Sequence, residues 1–141
     1  MRLLRETVTL GDKQPSRLEV WLRAFRLHFV LPSVLPGILG AVIAWHQGFP
    51  LKPPEFLLAV MGVAVNHLGL NMIDDVFDYR HIVDLKKSTE KNPFTGGSGV
   101  LPDGLLTERE MLTAAVLCFA ATIVIGLFLT YRCGDRKSTR L

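Results

Sequence analysis

The run EFLLAVMGVAVNHLGLNMIDDVFDY, residues 55–79, decides the fold. From Phe56 to Ile73 it holds no Asp, Glu, Lys or Arg. That length approaches the roughly 20 apolar residues that an α-helix needs to cross a bilayer. The stretch then turns abruptly acidic, with Asp74, Asp75 and Asp78 inside five positions. A membrane helix that ends in a cluster of carboxylates is the reading from which the rest follows.

Two further apolar blocks flank it. The first, HFVLPSVLPGILGAVIAW over residues 28–45, contains Pro32 and Pro36, which membrane helices tolerate when neighbours satisfy the freed backbone groups. Its Gly37 and Gly40 offer a second helix a close approach. The other block spans residues 111–131. Of the 141 residues, 49% are hydrophobic and 21% charged, and the two kinds are segregated along the chain. The mean hydropathy of +0.31 agrees with spans at about 28–45, 56–73 and 111–131. The expected fold class is therefore an all-α membrane protein with three transmembrane helices.

Residues 1–14 read as a polar arm. From Pro15 to Leu27, Leu18, Trp21, Leu22 and Phe25 recur at helical spacing among Arg17, Arg23 and Arg26, the pattern of an interfacial amphipathic helix. Basic residues set the orientation. The N-terminal segment carries Arg2, Arg5, Lys13, Arg17, Arg23 and Arg26, the first loop only Lys52, and the second loop Arg80, Lys86, Lys87, Lys91 and Arg109. The N-terminus and the loop 79–110 are accordingly expected in the cytoplasm of a multi-pass cell-membrane protein. The net charge of +3 then reflects loops facing anionic lipid, and no nucleic-acid partner is expected. Cys118 and Cys133 form neither a disulfide framework nor a metal spacing, and no cleavable signal peptide is present.

At about 100° per residue, His67, Asn71, Asp74, Asp75 and Asp78 share about a quarter of the helix circumference. Ionisable residues inside membrane segments usually face a cavity and mark a site. Carboxylates this close repel one another, and a hard divalent cation such as Mg²⁺, held by carboxylates together with waters and phosphates, relieves that repulsion. Asp84 lies beyond the helix end, placed to reach the metal or to cap the loop. Asn66 falls elsewhere on the wheel as interhelical polar contact, and Gly96-Gly97-Ser98-Gly99 could present backbone N–H groups to an anion.

The stretch NMIDDVFDYRHIVD, followed by KNPFTGGSGVLPDGLL, resembles the first Asp-rich motif and cytoplasmic loop of the UbiA-type membrane prenyltransferases. It is most similar to members acting on 1,4-dihydroxy-2-naphthoate or related quinone precursors, and the similarity covers most of residues 15–131. The resemblance implies a helical bundle of about nine spans with two Asp-rich motifs facing across a cavity. It also implies transfer of a prenyl group from an allylic diphosphate to an aromatic acceptor, dependent on Mg²⁺. On that likeness Asp75 and Asp78 are the catalytic pair, and Asn71, Asp74, Asp75, Asp78 and Asp84 hold the metal. Asn71, Arg80, Lys86, Lys87 and Lys91 would grip the diphosphate. Relatives commonly carry Asn where Asp74 stands, and many carry Arg where Gly99 follows the GGS.

No second acidic motif follows residue 108. The closing string DRKSTRL, residues 135–141, reads as one frame of a common sequencing-adapter oligonucleotide. The expectation is a natural protein that continues past Gly134, with the missing C-terminal half as the partner of this one and residues 1–141 inactive alone. The competing reading is a small membrane protein that binds divalent cations without catalysis. A CDP-alcohol phosphotransferase is disfavoured because its spaced DG…AR…G…D…D pattern is absent.

Overall fold

The computed structural model describes residues 15–81 and 97–134. Among these residues four α-helices follow in order: α1 (Arg17–Phe25), α2 (Val30–His46), α3 (Pro53–Arg80) and α4 (Glu108–Gly134), with a 3₁₀ turn, Leu27–Phe29, between α1 and α2. There is no strand among the described residues. Three stretches are long and apolar enough to cross a membrane: Arg17–His46, Pro53–Arg80 and Glu108–Arg132. Apolar side chains such as Leu31, Leu39, Leu57, Ile123 and Leu127 stand exposed on them. Such faces suit a lipid solvent and the protein is accordingly read as membrane-embedded.

The helix boundaries have local causes. Ser16 caps α1: its hydroxyl accepts from the Glu19 N–H (3.2 Å), and Glu19 accepts from the Ser16 N–H (2.8 Å). Thr107 and Glu110 repeat this reciprocal box at the start of α4. Pro53 and Pro54 open α3, where their missing donor or fixed φ costs nothing. Pro32 falls in the first turn of α2 and only Pro36 lies in its interior, so the helix continues through both. The amphipathic segment ends earlier than its periodicity suggests, at Arg26, which adopts φ +48° and caps the helix in the left-handed region.

Helices α3 and α4 form the most extensive packing pair. They run antiparallel, with Glu55 paired to Arg132 (3.0 Å) at one end and Arg80 to Glu108 (2.9 Å) at the other. The 28 residues of α3 extend about 42 Å, against a hydrocarbon core of about 30 Å. One or both helix ends therefore project beyond the apolar slab. The helix of the second span runs unbroken through the acidic cluster, as the sequence reading expects.

Two glycines on α3 permit the close approach. A Cβ on Gly69 would meet Cys118 Cβ and the Phe119 ring at 3.2 Å, and one on Gly62 would meet Ile125 Cγ2 at 3.1 Å. Gly37 and Gly40, read in the sequence as open to another helix, would carry a Cβ with nothing within 4 Å among the described residues. The reason is that no side chain of α2 is buried, so α2 leans on α3 without interlocking.

The buried core lies at one end of the bundle. Val20 and Ala24 of α1, Met72 and Val76 of α3, Val100, Leu101 and Leu106 of the connecting loop, and Met111 and Ala115 of α4 meet there. The face of α1 turned inward is thus Val20–Ala24, flanked by Trp21 and Phe25. Leu18 and Leu22, expected on the same apolar stripe as Trp21 and Phe25, are exposed instead. This arrangement puts the N-terminal helix and the loop before α4 at the same end, as the charge count requires of two segments on one side of a membrane.

Replacing Gly69 by Val is expected to destabilise the α3–α4 pair by about 1–3 kcal/mol through overpacking, whereas Gly37→Val leaves stability unchanged. Chemical unfolding of the two variants in detergent micelles measures the difference.

Candidate functional site

The acidic run sits on the last two and a half turns of α3, and burial sorts its members. Asn71 and Asp75, four residues apart, are buried at 8% and 3% exposure. Asp78 is half-buried and Asp74 exposed. The wheel explains this. Met72 and Val76 point into the core, and Asp75 adjoins Val76 about 100° round, whereas Asp74 lies close to the opposite side. The five-residue polar stripe expected from sequence therefore straddles the edge of the packed face.

Asp75 is the best-anchored polar group. Its Oδ1 accepts from an Arg26 guanidinium N–H at 3.3 Å, and both carboxylate oxygens accept from the Ser98 backbone N–H at 3.2 Å. Buried carboxylates require such partners, because an isolated ionised group in an apolar setting is strongly unfavourable. Three separate segments thus converge on one side chain: the end of α1, the far end of α3 and the Gly-rich loop. Asn71 adds a fourth tie, donating from Nδ2 to the Phe25 carbonyl at 2.9 Å. That carbonyl is among the last of α1 and lacks a helical partner.

Arg26 counts in the sequence only as one positive charge among several, and its place in the site was not legible there. The backbone reveals it. A non-glycine residue in the left-handed region costs about 1–2 kcal/mol, and here the side chain is held by Asp75 and by the Phe29 ring, 4.5 Å from the guanidinium carbon. The left-handed turn aims the guanidinium back at α3. Ser98 is shaped by similar local means: its hydroxyl accepts from the Val100 N–H at 3.3 Å, and Gly99 follows with φ +76°, a conformation that side-chain-bearing residues rarely adopt.

His67 lies one turn before Asn71 and does not join the carboxylates. Its Nδ1 is hydrogen-bonded to Ser33 Oγ on α2 at 2.8 Å. Arg80, a candidate diphosphate contact, directs its Nε to Glu108. Asp84, Lys86, Lys87, Lys91 and Gly96 lie outside the described residues. Asn66, on α3, is half-buried.

The donor set on α3 is all oxygen: the Asn71 amide and the carboxylates of Asp74, Asp75 and Asp78. This suits Mg²⁺ better than a softer ion. Among the described residues no three His, Cys, Asp or Glu side chains converge on one point.

Removing the Asp75 carboxylate with Asp75→Ala should cost about 3 kcal/mol, since Arg26 is left nearly buried without its counter-charge. Asp74→Ala, at an exposed position, should change stability by less than about 0.5 kcal/mol. Urea unfolding monitored by Trp fluorescence distinguishes the two. The chain matches no protein-family model, and no curated protein or solved structure is significantly similar to it.

Proposed function

We propose that this chain is part of a UbiA-type membrane prenyltransferase, which transfers a prenyl group from an allylic diphosphate to an aromatic quinone precursor with Mg²⁺. The observation that carries this reading is the 3.2 Å contact between the Asp75 carboxylate and the Ser98 backbone N–H. The resemblance rests on two stretches separated in sequence, the acidic run and the loop containing GGSGVL, and the fold joins them at that contact.

In this reading Asn71, Asp74 and Asp78, with Asp84 from the following segment, hold the metal, and Asp75 both contributes charge and fixes the loop. Mg²⁺, when bound, supplies Lewis-acid neutralisation of the diphosphate leaving group. The chain's own residues do the rest. The C–O bond to the diphosphate breaks with its electron pair leaving on oxygen, so cations near the helix end stabilise the developing charge. Arg80 and Lys86, Lys87 and Lys91 are the candidates. The allylic carbon forms its new bond to an electron-rich ring carbon, and the apolar walls of α2 and α3 exclude water that would otherwise capture the cation. The prenyl tail lies along those walls, which accounts for a site at the mouth of membrane helices. The N-terminus and the loop before α4 face the cytoplasm, where soluble Mg²⁺ and diphosphate are available.

Binding is the direct test, since the family's turnover involves a second acidic motif. Farnesyl diphosphate should bind the purified chain in detergent only with Mg²⁺ present, and EDTA should release it. Asp78→Asn should weaken that binding at least about tenfold, one ligand hydrogen bond or ion contact being worth about 1.5 kcal/mol. Isothermal titration reads both. Divalent-cation binding that persists while farnesyl diphosphate has no effect would replace this reading with that of a small cation-binding membrane protein.

A further inference from the structure

The His67 Nε2 atom is buried and has no hydrogen-bond partner, the only such side-chain atom among the described residues. The imidazole is not loosely placed, because Ser33 Oγ holds Nδ1 at 2.8 Å. A buried polar atom without a partner is unfavourable and calls for an explanation. It lies on α3 beside the polar Asn66 and otherwise among apolar residues such as Val65 and Leu68, well inside the span. One polar atom in an apolar wall is the recognition element for a mostly apolar molecule with one polar group.

Its position narrows the ligand. His67 precedes Asn71 by one helical turn, about 6 Å, and Asp75 by two, about 12 Å. A diphosphate held at the acidic end places the first prenyl carbons one turn deeper, at the level of His67. The molecule that must meet them there is the aromatic acceptor, a flat apolar ring bearing a hydroxyl.

We infer that His67 Nε2 is the hydrogen-bonding contact for the hydroxyl of a phenol or naphthol-type ligand, with Ser33 as the positioning residue that sets the imidazole's orientation. The assignment of that ligand as the acceptor rests on the prenyltransferase reading. The binding site itself does not.

The experiment uses the chain labelled with ¹⁵N-histidine in detergent micelles and 1-naphthol as the probe. His67 is assigned among His28, His46, His67 and His81 from the His67→Gln spectrum, or from Ser33→Ala if that variant does not fold. The expected result is saturable movement of the His67 Nε2 resonance on adding 1-naphthol, and a 1-naphthol affinity, read by isothermal titration of both proteins, about tenfold weaker in His67→Gln. Mg²⁺-dependent farnesyl diphosphate binding should be the same in both proteins. A His67 resonance that 1-naphthol does not move overturns the inference, whether or not farnesyl diphosphate binds. Movement of that resonance in a protein that fails to bind farnesyl diphosphate upholds the phenol site and removes the prenyltransferase reading.

Discussion

A single buried carboxylate organises the described part of this molecule. Asp75 sits at 3% exposure and is reached by a guanidinium from the end of α1 and a backbone N–H from the loop before α4. Neither contact is optional in physical terms, because a charge at that depth requires both counter-charge and hydrogen bonds. The converse also holds: the left-handed turn at Arg26 and the turn at Ser98–Gly99 have a shared target that keeps them in place. The apolar residues around it, Val20, Ala24, Met72, Val76 and Val100, then close over the pair and form the core.

This makes the bundle asymmetric. One end is knit together by polar ties and buried side chains, while the spans lead away from it with lipid-suited surfaces. The α3–α4 pair stays in register through Gly62 and Gly69 in its middle and an ion pair near each end. Helix α2 has no comparable device. Its contact with α3 is marked by the Ser33–His67 hydrogen bond, and its faces remain largely open.

The prenyltransferase proposal and the geometry support each other at specific places and strain at others. The acidic run and the Gly-rich loop meet, as a shared diphosphate site requires. Asp74, however, points away from the packed face, and Arg80 is engaged by Glu108. Asp75 is so heavily bonded that its first duty is structural. A metal at this helix end would therefore draw on Asn71, Asp78 and Asp74 at the open edge of the packed face, together with groups from the segment that follows.

The sequence by itself determined three helices long and apolar enough to cross a membrane and the acidic end of α3. These follow from hydropathy and charge, which act locally along the chain and can be read one window at a time. Capping boxes at Ser16–Glu19 and Thr107–Glu110 are local too, written in three-residue spacing. Only the tertiary structure decided which of four neighbouring polar residues went inside, that Gly62 and Gly69 rather than Gly37 and Gly40 carry the close helix contact, and that Arg26 serves Asp75. Each of those depends on what faces the helix from elsewhere in the chain. A helical wheel gives angles around an axis, but it has no means of saying where the neighbouring helix stands.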